Sequence, residues 1–224
     1  MPTSNWQNIS YDIEIIRLIN PQNILDAGMG FGRWGILSRE FLEVWDDDNI
    51  HGKWKRTIDA IEIYEPYIKD YHRYFYSNIY NEDMLNFFYS NTKKYDLIIF
   101  GDVIEHLEKN EAINIIRKAL LMSDYIIINI PIGKFWEQDA LDDNINQAHK
   151  SIWNTGDFRK LGFTKIKVFR DYQLRKFAVI VLSGQRISLR KLYKSKYGKH
   201  FFIKNFIKHY LGFRNLVIKY LAKK

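Results

Sequence analysis

"NILDAGMGFGRWGI", residues 23–36, is the stretch that decides the fold. An apolar run with one acid, Ile24-Leu25-Asp26-Ala27, breaks into glycines at every second position, Gly28, Gly30 and Gly32, and then into bulky Arg33 and Trp34. A short apolar run bounded by glycine reads as a buried strand, and the residues after it read as a helix from Arg33 to Trp45. In an open α/β sheet, ligands bind beyond the carboxyl ends of the strands, near the point where the strand order reverses. A strand, a glycine turn and a helix N-terminus build that place, and residues without a Cβ let backbone N–H groups approach a ligand directly. The turn also has a purely structural reading, a tight connection with no ligand.

The pattern repeats outward from this stretch. Strand-type runs recur at Thr57–Ile61, near Ile79, at Asp96–Phe100, at Tyr125–Ile130 (stopping before Pro131), at Lys165–Phe169 and at Phe177–Leu182. Helical spacing covers Tyr11–Ile19, Pro66–Phe75, Asn110–Met122 and Phe158–Leu161. Asp46–Arg56 and residues 132–153 are polar and read as loops, the second long enough to carry function. Alternating strands and helices predict a doubly wound, mainly parallel seven-stranded sheet with helices on both faces. The continuous apolar strands agree, because parallel strands are buried on both sides. The last two strands are close enough in sequence to pair antiparallel.

Composition narrows the chemistry. The chain has 224 residues, 46% of them hydrophobic, enough for one α/β domain and an appendage. It has no cysteine, so disulfides, thiolate metal sites and cysteine nucleophiles are excluded. The opening residues, Met1-Pro2-Thr3-Ser4-Asn5, lack a basic region leading into an apolar segment, and a cytoplasmic protein is expected. The net charge of +8 hides two unlike parts: residues 186–224 hold 12 Lys/Arg and no acid, leaving 22 basic and 26 acidic residues in 1–185. The sequence therefore divides into a mildly acidic domain, 1–185, and a basic tail, 186–224.

The identity of the ligand follows from what surrounds the glycines. A dinucleotide fingerprint would read G-x-G-x-x-G. Here the spacing is Gly28-x-Gly30-x-Gly32, and the carboxylate of Asp26 two residues earlier suits a ligand with an ammonium group better than a pyrophosphate. This resembles the first motif of the class I S-adenosylmethionine-dependent methyltransferases. The rest of the chain follows that resemblance in order over about residues 10–183. The resemblance implies a Rossmann-like methyltransferase fold whose last strand is antiparallel, with S-adenosylmethionine as cofactor. It places Asp26, Gly28, Met29, Gly30 and Gly32 at the cofactor, Glu62 with its neighbour Ile63 on the ribose, and Asp83 and Met84 on the adenine. It further places Asp102, in Tyr95-Asp96-Leu97-Ile98-Ile99-Phe100-Gly101-Asp102-Val103-Ile104-Glu105-His106-Leu107, against the methionine moiety. Met29 departs from the smaller residue common there.

Methyl transfer to a hydroxyl needs collinear positioning and a proton acceptor. His106, His149 and Asp102 are the catalytic candidates. Glu105 and His106 have a second reading as capping or solvating groups at the next helix start. A third comes from resemblance to ubiquinone-type O-methyltransferases and small-RNA terminal 2′-O-methyltransferases, where an acidic-x-x-Glu-His segment helps bind a divalent metal. By that likeness Asp102, Glu105, His106 and His149 are metal-ligand candidates. Such a mixed set would suit Mn²⁺, Fe²⁺ or Zn²⁺ better than Mg²⁺. His149 also reads as a base or substrate contact. The loop Ile132-Gly133-Lys134-Phe135-Trp136-Glu137-Gln138-Asp139 mixes flat aromatics with polar groups, which suits sugars and equally suits loop packing.

The reading that results is an S-adenosylmethionine-dependent methyltransferase acting on the oxygen of a sugar, glycan or small metabolite. One alternative is an RNA methyltransferase docked by the tail; another is a non-catalytic nucleotide-binding or assembly protein. In the tail, Phe202, Ile203, Phe206, Ile207, Tyr210 and Leu211 recur at helical spacing, with Leu216, Val217, Tyr220 and Leu221 continuing. A basic amphipathic helix fits an anionic membrane surface, or packing on the body or on another subunit of a homo-oligomer. Nucleic acid ranks third.

Overall fold

The computed structural model describes residues 5–45, 52–134, 136, 138–140 and 144–185. The tail 186–224, with its expected helix and domain boundary, lies outside the described residues, as do 46–51 of the first polar loop and Phe135 and Glu137 of the aromatic loop.

Seven strands form one sheet: β1 (Asn23–Ala27), β2 (Thr57–Ile61), β3 (Asn78–Tyr80), β4 (Tyr95–Gly101), β5 (Ser123–Ile132), β6 (Phe163–Arg170) and β7 (Lys176–Ser183). Their order is β3-β2-β1-β4-β5-β7-β6. Every pair from β3 to β5 is parallel, and β7 runs antiparallel to both β5 and β6. The chain builds outward from β1 to β3, then returns to place β4 on the other side of β1. The switch point therefore lies between the carboxyl ends of β1 and β4.

Successive strand residues point to opposite faces, and both faces are apolar. Ile24, Ile58, Leu97, Ile99, Ile127, Val179 and Val181 share one core layer with Ile15 and Ile16 of α1 (Ile9–Ile19) and Trp34 of α2 (Arg33–Arg39). Leu25, Ala27, Ile98, Phe100, Ile126 and Ile128 share the other. That layer also takes side chains from three later helices: α4 (Met84–Ser90), α5 (Lys109–Met122) and α6 (Thr155–Arg159), which follow the short α3 (His72–Phe75). Among the described residues no helix is long and apolar enough to cross a membrane.

The structure corrects four local expectations. The helix expected over Pro66–Phe75 is a 3-10 turn at Glu65–Tyr67 and the single turn α3. His72 Nδ1 captures the Lys69 N–H (2.9 Å), a side chain competing with the helical ladder. The helix from Arg33 ends as α2 at Arg39 and widens into a π-helical turn, Glu40–Val44. Helix α4 has no counterpart in the sequence reading; Asp83 caps it, accepting the Leu85 N–H at 2.6 Å. Finally, β5 runs through Pro131, which pairs with Phe177 of β7. Pro131 faces the same edge as Asn129, and β4 pairing ends at Asn129, so no ladder bond needs the missing N–H.

Candidate active site

Gly28, Gly30 and Gly32 all take left-handed φ values, +81°, +51° and +84°, where other L-residues are strained. At Gly28 space matters too, since a Cβ would lie 2.6 Å from Val103 Cγ2. The exit of β4 thus packs directly on the turn. The amides of the turn are not bare, contrary to expectation. Gly28 and Met29 N–H both donate to the Ile61 carbonyl (3.0 Å each), Gly32 N–H to Met29 O (2.7 Å) and Gly30 N–H to Glu62 Oε2 (3.0 Å). The glycines shape the wall of a cleft, and neither their three N–H groups nor that of Met29 is left to donate into it.

That cleft, about 310 Å³, runs across the switch point. Gly28, Met29, Gly30, Glu62, Ile63, Asp83, Met84 and Asp102, all expected at the cofactor, are among the residues that line it. Glu62, at the tip of β2, is 6% exposed. Burial raises its pKa, and the N–H groups of Tyr64 (2.9 Å to Oε1) and Gly30 oppose that rise. Gly32 closes the turn outside the lining, and Asp26 is a correction.

Asp26 is fully buried behind the turn, and the Tyr76 hydroxyl donates to its Oδ2 at 2.5 Å. Gly35 is there for this contact: a Cβ on it would fall 2.3 Å from the Tyr76 ring, and its N–H donates to the Tyr76 oxygen (3.2 Å). Asp26 therefore braces α2 and α3 against β1 and does not face the cleft. Burial pushes its carboxyl up to about 7 despite the Tyr76 bond. A carboxyl whose folded pKa exceeds its unfolded one contributes stability at low pH that is lost as pH rises to the folded value. Asp26→Asn should thus gain stability relative to wild type between about pH 4 and 7, by up to about 4 kcal/mol, read by denaturant unfolding. A difference independent of pH would show that Asp26 does not titrate there.

Across β1 from Glu62, the chain turns left-handed at Asp102 (φ +51°), whose N–H donates to Asn129 O (3.0 Å), and enters a 3-10 turn, Ile104–His106. Asp and Asn tolerate this backbone better than most residues. Glu105 is 2% exposed, and its Oε2 has no hydrogen-bond partner. Burial, then the nearby Asp102 charge, raises its pKa well above the ordinary carboxylate range. The capping reading of Glu105 and His106 is therefore overturned: α5 starts only at Lys109, and Glu105 is not solvated.

The segment carrying His149 is tied to this turn. Lys150 and Ser151 N–H both donate to Glu105 O, at 2.9 and 3.1 Å, which brings the two imidazoles to a ring separation of 4.9 Å. His106 Nδ1 lies 3.1 Å from Ala148 O, and His149 Nδ1 bonds Trp136 O. A carbonyl only accepts, so each Nδ1 carries the proton and each Nε2 keeps its lone pair. Burial lowers both pKa values, His106 to about 4, so both rings are neutral near pH 7. One ligand atom each from Glu105, His106 and His149 lies within 4.8 Å of the others. Asp102 lies outside that group and interacts with the Arg33 guanidinium. A buried carboxylate oxygen without a partner, beside two imidazoles oriented by carbonyls, fits a divalent cation.

Sequence reasoning passed over several lining residues. Arg33, directly after the glycine turn, donates from Nη1 to Asn5 O (2.9 Å) and feels Asp102 and Asp12. Its position in the motif was the available signal. Gln138, Asn144 and Gln147 line the cleft near His149, and Gln138 Nε2 donates to Gln147 O at 2.7 Å. They carry no signal apart from their closeness in sequence to His149.

Strand order, the antiparallel β7 and a cleft over a glycine turn at the switch point together make this the Rossmann-like fold of class I S-adenosylmethionine-dependent methyltransferases. Solved structures bear this out. The chain is similar to magnesium protoporphyrin IX methyltransferase (ChlM) from Synechocystis PCC 6803 with bound S-adenosylhomocysteine. That match has a TM-score of 0.56 and 13% identity, and covers 79% of this chain and 82% of that one. It is also similar to the N-terminal domain of EvdMO1 with S-adenosylhomocysteine bound (TM-score 0.55, 12% identity, 81% and 83% covered). A third likeness is to the methyltransferase domain of bacterial CtHen1-C (TM-score 0.52, 14% identity, 80% and 98% covered). No protein-family model and no curated protein matches the chain.

Proposed function

We propose that the protein is an S-adenosylmethionine-dependent O-methyltransferase whose acceptor is a hydroxyl of a sugar or small metabolite. The observation that carries this reading is the Glu105–His106–His149 group, in the same cleft as Glu62 and on the other side of the glycine turn. The adenosine end of the cofactor would lie along Glu62, Ile63, Asp83 and Met84. The amino-acid end would lie toward Asp102, which suits its ammonium, and Arg33, which suits its carboxylate. The acceptor would then enter between His106 and the amide side chains of Gln138, Asn144 and Gln147, groups of the kind that recognise hydroxyls.

S-adenosylmethionine, when bound, would offer its methyl carbon to the acceptor oxygen, the C–S electron pair returning to sulfur and the hydroxyl proton leaving. Neutral His106 or His149 can take that proton on Nε2, and the Nδ1–H bonds to Ala148 O and Trp136 O stabilise the resulting imidazolium. With a divalent cation of the Mn²⁺, Fe²⁺ or Zn²⁺ kind bound, Glu105 and the two Nε2 lone pairs would be its ligands and the imidazoles would no longer serve as bases. The cation would instead draw the acceptor oxygens in and lower the hydroxyl pKa, so that the proton leaves to solvent.

The test is transfer of a labelled methyl group from S-adenosylmethionine to a panel of saccharides, small polyols and short RNAs, with chelator and with Mn²⁺ restored. Label in the saccharides or polyols supports the reading. Label confined to RNA moves the acceptor to nucleic acid, and tight cofactor binding without transfer to any class moves it to a non-catalytic protein. The basic tail has its own test. Deleting 186–224 should release the protein from anionic vesicles and leave S-adenosylhomocysteine affinity unchanged. Equal vesicle binding with and without it would remove the membrane role.

A further inference from the structure

His149 lies in a stretch with almost no regular structure, yet it is held at both its ring and its backbone N–H. Its Nδ1 bonds the Trp136 carbonyl, and its own N–H donates to Gln138 O at 2.9 Å. Trp136 is in turn held by the turn between β6 and β7. Its indole Nε1–H donates to Lys176 O at 2.7 Å, and the Arg175 guanidinium stacks over its ring, 4.0 Å from the centroid. Arg175 is itself anchored. Its Nε reaches Asp171 Oδ2 at 2.8 Å and its N–H reaches Asp171 Oδ1 at 2.9 Å, while Gln173 N–H donates to the same Oδ1 at 2.9 Å.

We propose that Trp136 and Arg175 are positioning residues: the β6–β7 turn, through the indole it clamps, sets the orientation and tautomer of His149. A histidine that serves as ligand or base needs its second nitrogen bonded to a fixed acceptor, and removing such a partner typically costs 10–100-fold in metal affinity. On this loop the acceptor is a main-chain carbonyl, so it is only as fixed as the residue that bears it. The stacked guanidinium and the indole hydrogen bond fix that residue to the sheet. Arg175 lies outside the cleft lining, and Trp136 borders it beside His149.

The metal part of this inference rests on the proposed function; the tautomer part does not. Two variants test it: Arg175→Met removes the stacked cation, and Trp136→Phe keeps a ring but removes the bond to Lys176 O. The first measurement is ¹⁵N NMR of the His149 ring in metal-free protein. Wild type should show Nδ1 protonated and Nε2 bare, and both variants should show a mixture of tautomers. The second is calorimetric titration with Mn²⁺ and, separately, with S-adenosylhomocysteine. The variants should lose about 10-fold in Mn²⁺ affinity and none for the nucleoside. A loop that the clamp merely packs would weaken both or neither. An unchanged His149 ring in both variants overturns the proposal. If wild type binds no Mn²⁺, the metal reading fails, and the ring spectra still decide the positioning role.

Discussion

Replacing Glu62 with alanine should weaken S-adenosylhomocysteine binding about 100-fold, because two charge-assisted hydrogen bonds of about 1.5 kcal/mol each are lost. The carboxylate is nearly buried at the tip of β2, and it already holds Gly30 and Tyr64 through their N–H groups. Its remaining lone pairs are suited to accept from two neighbouring hydroxyls at once, as a ribose would offer. Asn81 steadies the same tip, donating from Nδ2 to Glu62 O at 2.8 Å. Glu62→Gln should fall between wild type and alanine, because one of its two terminal atoms becomes a donor. Isothermal titration calorimetry reads all three proteins. An affinity in Glu62→Ala equal to wild type would remove the ribose role and with it the orientation of the cofactor in the cleft.

The second large effect is expected from the Glu105–His106–His149 group. Mn²⁺ at 100 times its dissociation constant should stabilise wild type by about 2.7 kcal/mol. In a domain of this size that raises Tm by roughly 5–10 °C. His106→Ala and His149→Ala should abolish the shift. Glu105→Gln should abolish it too, while raising the Tm of the metal-free protein, because the buried carboxylate has an oxygen without a partner and lies near the Asp102 charge. A variant that is more stable without metal and blind to it is the signature of a site kept for function at the expense of folding. Differential scanning fluorimetry with and without Mn²⁺ decides the matter. An equal shift in wild type and Glu105→Gln would exclude Glu105 as a ligand.

Much of the architecture was readable from the chain. Ile24–Ala27, Asp96–Phe100 and Tyr125–Ile130 are continuous apolar runs because both faces of a parallel strand are covered, and glycine marks where the first one ends. Short elements were harder. Helix α4 has seven residues, and α3 is cut short by the His72 side chain. Placement at the cleft was legible where a residue directly follows an element the sequence marks, as at Glu62 after β2. Asp26 was misread because its partner, Tyr76, is 50 residues away and signals nothing by itself. His149 as a metal ligand was reached only through a likeness to metal-binding methyltransferases. Nothing in the spacing of 43 residues from His106 announces that Lys150 and Ser151 will bond Glu105 O.

The internal bonding of the glycine turn also bears on which adenosine compounds would suit the cleft. Polyphosphates are held in other α/β proteins by rings of unused main-chain donors. Here the donors of Gly28, Met29, Gly30 and Gly32 are already taken by Ile61, Glu62 and Met29. Carboxylates from Glu62, Asp83 and Asp102 stand around the same space. A polyphosphate would meet these charges without those four donors, with the Arg33 and Lys150 side chains as counter-charges on the lining. The bonds that fold the turn would thereby disfavour polyphosphate-bearing adenine compounds in competition with a sulfonium nucleoside.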